Sequence, residues 1–331
     1  MKETPKHETG ETLPDKVAQM IRQQKESWPV ARQNFAGLKK AGIKSVAFDG
    51  FEIITQFNPE RIRSSAAKTD ARTLRERACF LCAENRDEKQ QGIDFKRKYT
   101  ILINPFPIFP EHLTIPLNEH KPQEIEPYFP DLLELSRLLP RFTIFYNGPK
   151  CGASAPDHFH FQAGNKNMMP VDREINAFAG KQGEILFKNG ETTLTAVGKS
   201  YLRKLLLLVS SSEENLVLHF QNILNILKER GQEGEPMMNI LGSWEKGQWR
   251  ILLFPRDRQR PEQFYAGGKE QILISPASVE LGGLAILPRK EDFDKLTKQD
   301  LVAIYKQVTI NDADFEQLKK KIKETTGHQI G

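Results

Sequence analysis

Short apolar runs bounded by turn residues recur along the chain and predict β-strands. In the first half they cover residues 45–48, 51–57, 99–105, 111–116 and 141–146. The pair Asp49-Gly50 separates the first two runs, which is typical of a β-hairpin. In the second half the runs cover residues 238–241, 248–254, 270–275 and 283–287. The second half therefore repeats the strand-rich plan of the first, without visible sequence identity between the two.

Apolar residues at helical spacing predict helices beside these strands. A leucine-rich segment follows Pro130, and a stripe from Leu216 to Leu227 follows a capping box at Ser211 and Glu214. His219 lies on that stripe and is expected to be a structural histidine. Two further helices are predicted to close the chain.

These elements predict an α+β fold of two antiparallel, half-barrel-like lobes with helices on the outside. We expect three segments: an N-terminal helical arm at 1–45, a first lobe at 46–190 and a second lobe at 191–331. The lobes either form one continuous sheet or pack face to face.

Composition and charge restrict the classes of partner. The net charge is only +5 and the basic residues are scattered, so a small anionic substrate is expected rather than a nucleic-acid polymer. The longest aliphatic run, 205–209, is far shorter than the ~20 residues that span a bilayer. The charged N-terminus predicts a cytoplasmic protein. The three cysteines do not form a disulfide framework. A homodimer is compatible with the sequence.

The segment from Cys151 to Gly164 combines small residues with two histidines and predicts a loop that leads into a strand. A helix would place the two histidines about 200° apart, whereas a strand places alternate residues on one face. The polar face would carry His158, His160 and Gln162, and the aromatic face would carry Phe159 and Phe161. We therefore expect chemistry on one face of this strand and core packing on the other.

Residues suited to phosphate binding lie near this strand. The backbone of Gly152 and Ala153 and the hydroxyl of Ser154 can donate hydrogen bonds to anionic oxygens. Arg61, Arg63 and Lys68 belong to a basic loop that either contacts substrate phosphates or is simply solvated.

Two thiols and two imidazoles form a candidate metal site. Cys79 and Cys82 have the C-x-x-C spacing that lets two thiolates bind one ion. Together with His112 and His158 they match the ligand set of a closed tetrahedral zinc site. Two alternatives stay open: Cys151 replaces one ligand, or the cysteines are buried thiols that bind no metal.

The run from Asn147 to Gln162, preceded by Phe106-Pro-Ile-Phe-Pro-Glu-His112, resembles the histidine-triad superfamily. The order His158-x-His160-x-Gln162 resembles its transferase branch more narrowly. That branch includes galactose-1-phosphate uridylyltransferase, diadenosine tetraphosphate phosphorylase and GDP-L-galactose phosphorylase. Ser154 stands one position further from the first histidine than in the uridylyltransferases. The run 249–254 lacks the histidines with which those enzymes bind a second metal, so no second metal is predicted.

The resemblance implies tandem histidine-triad-like lobes, of which the second lacks the catalytic histidines. It implies that His160 attacks the α-phosphorus of a nucleotide anhydride and that Gln162 donates a hydrogen bond to a phosphoryl oxygen. His158, with its lone pair bound to zinc, would be unable to attack. Substrate binding is assigned to Arg61, Asn147, Gly152 and Ser154.

The leading hypothesis is thus a nucleotidyltransferase or phosphorylase that acts on a nucleoside diphosphate sugar or a dinucleoside polyphosphate. A phosphate acceptor would resolve a covalent nucleotidyl-histidine. The alternatives are a hydrolase of the same fold and a zinc-stabilised nucleotide-binding protein without turnover.

Overall fold

Antiparallel strands from both halves of the chain form one large sheet in the computed structural model, which describes residues 11–62, 71–231 and 233–327. The strands are β1 (Gly42–Ala47), β2 (Glu52–Phe57), β3 (Gly92–Phe95), β4 (Tyr99–Ile103), β5 (His112–Pro116), β6 (Phe142–Asn147), β7 (His160–Asn165), β8 (Glu184–Asn189), β9 (Thr192–Val197), β10 (Leu205–Ser210), β11 (Met238–Glu245), β12 (Gln248–Pro255) and β13 (Leu284–Leu287). The helices are α1 (Leu13–Ser27), α2 (Pro29–Leu38), α3 (Ala71–Glu76), α4 (Phe129–Leu138), α5 (Pro170–Gln182), α6 (Glu213–Lys228), α7 (Glu262–Tyr265), α8 (Ser278–Leu281), α9 (Lys290–Lys295), α10 (Lys298–Val308) and α11 (Asp312–Gly327).

The large sheet contains an internal repeat. Its ten strands follow the order β3-β4-β5-β7-β6-β11-β12-β10-β9-β8. Read inward from each edge, the two halves have the same order, and a helix precedes the fourth strand of each in sequence: α4 before β6 and α6 before β11. The halves meet where β6 pairs antiparallel with β11, with Tyr146 opposite Ile240. The predicted antiparallel α+β fold is confirmed, and its two halves form one continuous sheet.

A smaller sheet joins the ends of the chain. β1 and β2 form the predicted hairpin, and β13 adds to β2 in parallel. One face of the large sheet packs with Phe159 and Phe161 into a core that includes residues of α1, α4 and α6. The other face packs with Phe145 and Leu241 against α5, α10 and the small sheet. The aromatic side chains of the His-x-His-x-Gln segment therefore fill a core, as the alternation predicts.

Three local predictions need correction. The apolar run 270–275 is not a strand, because its amides bond elsewhere: Ile272 N donates to the Gln263 carbonyl and Leu273 N to the Asp292 carboxylate, each at 2.9 Å. The helix α6 is capped by Ser212, whose hydroxyl accepts from Asn215 N at 3.2 Å, and not by a box that starts at Ser211. β7 begins at His160, so that His158 lies in the preceding turn.

Arg63 and Lys68, proposed above as phosphate contacts, lie outside the described residues. Within the described part of the chain, no helix is both long and apolar enough to cross a membrane.

Candidate active site and metal centre

A cavity of about 530 Å³ opens on the polar face of β7. Its walls come from β7, the turn between β6 and β7, the segment from Arg77 to Gln90 and the segment around α8. The structure brings six predicted site residues to its lining: Arg61, Asn147, Gly152, Ser154, His160 and Gln162. Residues that the sequence patterns did not single out also line it, among them Trp28, Phe80 and Arg77.

His160 is held as a neutral imidazole with one free lone pair. Its Nδ1 lies 2.8 Å from the carbonyl oxygen of His158, which can only accept a hydrogen bond, so the proton resides on Nδ1. Nε2 therefore carries the lone pair, and it has no hydrogen-bond partner among the described residues. Burial lowers the pKa of His160 to about 4, which keeps the ring uncharged at neutral pH. A neutral imidazole of this tautomer is a competent nucleophile at Nε2.

Gln123 fixes the backbone of His160, and no sequence pattern pointed to it. Its Oε1 accepts from His160 N at 2.8 Å, and its Nε2 donates to the carbonyls of His160 and Asn147 at 3.0 and 3.1 Å. The register of β6 and β7 ends at the pair Phe145 and Gln162. Beyond this pair the two strands separate. The side-chain amide of Gln123 makes the hydrogen bonds that a paired strand would otherwise make there.

The turn after β6 presents several unpaired donors. Asn147 Oδ1 accepts from Asn239 Nδ2 at 2.9 Å and from Ser278 N at 2.8 Å, which leaves the Asn147 Nδ2 amide for a ligand. The backbone N–H groups of Gly152 and Ser154 have no acceptor among the described residues. Gly152 has φ +96°, and a Cβ there would lie 2.5 Å from the Cβ of Ala277. Glycine is therefore required where the turn approaches the segment around α8.

The metal cluster forms beside this turn. Ligand atoms of Cys79, Cys82, His120 and His158 all lie within 4.8 Å of one another. The His158 Nδ1 is 3.3 Å from Cys79 Sγ and 3.5 Å from Cys82 Sγ, and the His120 Nδ1 is 3.1 Å from Cys82 Sγ. Tetrahedral zinc with bonds of ~2.3 Å to sulfur and ~2.0 Å to nitrogen separates such ligands by about 3.5 Å. The four side chains could therefore bind a metal ion.

The protonation of the ligands supports this fit. His158 Nε2 donates to the Leu117 carbonyl at 2.9 Å, so its Nδ1 lone pair points toward the cysteines. Burial and the neighbouring Cys79 thiol raise the pKa of Cys82 to about 11. Binding of a metal ion by Cys82 would therefore release the proton of this thiol.

One member of the predicted ligand set changes, and the alternative with Cys151 does not match the cluster. His120, in the turn after β5, occupies the place that we expected for His112, because a turn beside β7 reaches the cysteines whereas the interior of the sheet does not. Cys151 is buried outside the cluster, where burial raises the pKa of its thiol to about 12. His120 could have been noticed only as a histidine in a turn at the end of a strand.

Comparisons with known proteins find similarity in both halves of the chain. A family model described as a GDPGP1-like C-terminal domain matches residues 180–329, and one described as a domain of unknown function, DUF4922, matches residues 20–165. A galactose-1-phosphate uridylyltransferase from Staphylococcus saprophyticus is 26% identical over 274 residues, which cover 70% of this chain and 52% of that enzyme. The chain is thus similar to members of the transferase branch of the histidine-triad superfamily. It spans about half the length of that relative.

Solved structures share the fold of this chain. Yeast Ap4A phosphorylase Apa2 in complex with Ap4A aligns with a TM-score of 0.59 at 17% identity, over 89% of this chain and 98% of that one. Its complex with AMP aligns with a TM-score of 0.54 at 19% identity, over 86% and 94% of the two chains. At these identities the likeness concerns the fold.

His112 orients Gln162 on β7. The Ile108 amide donates to His112 Nδ1 at 3.1 Å, so His112 Nε2 carries a proton and donates to Gln162 Oε1 at 3.2 Å. Burial, and then the charge of Arg61, lower the pKa of His112 to about 3 and keep it neutral. With Oε1 engaged, the Gln162 amide N–H groups remain for a ligand in the cavity.

Replacing His112 by leucine should slow turnover roughly five- to tenfold, the cost of one neutral hydrogen bond that orients Gln162. The leucine fills the space but cannot donate to Gln162 Oε1. Metal content, measured by elemental analysis, should equal that of the wild type because His112 lies outside the cluster. A loss of metal from His112→Leu would instead indicate that His112 is a metal ligand.

Proposed function

We propose that this protein is a nucleotidyltransferase or phosphorylase that cleaves a nucleotide anhydride through a covalent nucleotidyl-histidine at His160. The observation that carries the proposal is the neutral His160 ring, whose free Nε2 belongs to the lining of the cavity. The unpaired amides of Asn147, Gly152 and Gln162 surround the same space. The substrate class is a nucleoside diphosphate sugar or a dinucleoside polyphosphate.

In the first step the Nε2 lone pair of His160 attacks the α-phosphorus. The bond from that phosphorus to the bridging oxygen breaks, and the leaving phosphate keeps the electron pair. The ring gains positive charge, which the hydrogen bond from Nδ1 to the His158 carbonyl stabilises. Side-chain and backbone amides donate to the non-bridging oxygens, and preorganised donors of this kind are worth ~3 kcal/mol each elsewhere.

In the second step an oxygen of the phosphate acceptor attacks the same phosphorus, and the bond to Nε2 breaks. His160 returns to its neutral form with the Nδ1 proton in place. Phosphate needs no deprotonation in order to attack, whereas water does. Gln162 has no group that can accept that proton, which supports transfer to phosphate over hydrolysis.

We propose zinc as the ion of the cluster, because two thiolates and two imidazoles at tetrahedral spacing are its usual closed site. A closed site is structural. It would fix His158, whose carbonyl in turn orients the His160 ring. The three free thiols also fit the reducing cytoplasm, which we keep as the expected location.

A screen of nucleoside diphosphate sugars and dinucleoside polyphosphates tests this function. With inorganic phosphate, we expect release of a nucleoside diphosphate at a rate that saturates with phosphate. Without phosphate, we expect one equivalent of nucleotide on the protein and then no further product. Steady formation of a nucleoside monophosphate without phosphate would identify a hydrolase. Absence of both labelling and turnover with every substrate would contradict the proposal.

A further inference from the structure

Arg77 has an unusual environment among the residues that line the cavity. It follows α3, and its side chain is 21% exposed. Its Nη2 donates to the carboxylate of Asp157, and its guanidinium lies 5.3 Å from the ring of Phe80. Its Nη1 is buried and has no hydrogen-bond partner among the described residues. Of the described residues with such a buried, unpartnered side-chain atom, Arg77 is the one that lines the cavity.

The two other arginines of the lining each donate to a backbone carbonyl of the protein. Arg61 Nη1 donates to the Phe106 carbonyl at 2.9 Å, and its charge faces the carboxylate of Glu280. Arg86 donates from both Nε and Nη2 to the Leu81 carbonyl, at 2.8 and 2.6 Å. An unpaired charged donor is costly to bury, so the Arg77 Nη1 group calls for an anionic acceptor within the cavity.

Asp157 places Arg77 close to the proposed nucleophile. Asp157 directly precedes His158 in the turn that leads into β7, and the charge of Asp157 acts on His160. The other carboxylate oxygen of Asp157 lies 3.7 Å from His120 Nε2. Arg77 is therefore held through Asp157 against the segment that carries both the metal cluster and the reactive histidine.

We propose that Arg77 binds the inorganic phosphate that enters as acceptor and, by the same contact, the phosphate monoester that leaves in the first step. The proposal rests on the function proposed above. In-line displacement at phosphorus places the leaving group and the later acceptor in the same position, opposite Nε2 of His160. Both groups are phosphate anions, and a guanidinium group binds such oxygens through paired N–H donors.

Substitution of Arg77 tests this assignment. Arg77→Gln should raise the phosphate concentration for half-maximal rate by tenfold or more, since it removes a charge-assisted contact. The amount of nucleotide bound covalently without phosphate should stay at one equivalent. Arg77→Lys, which keeps a charge near Asp157 but lacks the planar donor pair, should give an intermediate shift. Arg72→Gln is the matched control, because Arg72 is 82% exposed and, among the described residues, pairs with Glu76.

A direct readout separates this inference from the proposed function. Inorganic phosphate should raise the thermal midpoint of the wild type and of Arg72→Gln, and should do so much less in Arg77→Gln. An equal phosphate-induced shift in Arg77→Gln and the wild type would overturn the inference even if no turnover were found. If Arg77→Gln lost covalent labelling to the same degree as it lost its dependence on phosphate, the inference would also be overturned. Such parallel losses would indicate a structural role for the Arg77–Asp157 pair. Elemental analysis of the variants checks that the cluster keeps its metal.

Discussion

Replacing His160 by asparagine is expected to abolish nucleotide transfer, with a fall in kcat of roughly 10⁴-fold or more, as for other enzymes that lose their nucleophile. The asparagine amide can still donate to the His158 carbonyl, but it has no lone pair that attacks phosphorus. Wild-type protein incubated with a radiolabelled nucleoside diphosphate sugar and no phosphate should retain acid-labile, base-stable label. The variant should retain none, while it still binds the nucleotide and keeps its metal.

His219→Asn provides the matched control for this experiment. His219 lies on α6 and has the same exposed fraction as His160, 3%, but it does not line the cavity. Its substitution should leave labelling at the wild-type level. Label that persists in His160→Asn would refute the covalent role of that residue.

Cys79→Ser should lose the metal and much of the stability of the first half of the sheet. A structural zinc site contributes ~10 kcal/mol or more in small domains, and less where a large core exists. A loss of several kcal/mol corresponds to a fall in the thermal midpoint of roughly 10 °C. Elemental analysis and thermal unfolding measure the two effects, and His120→Asn should produce both as well.

Cys151→Ser is the control for the metal prediction. Cys151 is as deeply buried as the ligand His158, but it lies outside the cluster. The Cys151→Ser variant should therefore keep the full metal content. A metal-free wild type, purified without chelators and fully stable, would show that the four side chains of the cluster lie close together without binding a metal ion.

The sequence could predict what depends on neighbouring residues. Strand alternation alone separates Phe159 and Phe161 from His160 and Gln162, and the aromatic pair does lie in a core. What it could not predict depends on contacts between distant segments. His120 reaches the cysteines only because β5 and β7 are neighbours in the sheet. Gln123 bonds to His160 across a gap between strands that no local pattern indicates. The apolar run 270–275 resembles a strand locally, but the Gln263 carbonyl and the Asp292 carboxylate accept hydrogen bonds from its amides.

The junction of β6 and β11 has a consequence for folding and for the origin of the chain. A first half produced alone would expose the edge of β6, an apolar strand with free backbone donors and acceptors, which is a template for aggregation. It would also leave Asn147 without Asn239, the second-half residue that orients its amide. Two identical halves could satisfy that edge by self-association. The second half of this chain instead supplies β11 as a permanent partner strand for that edge.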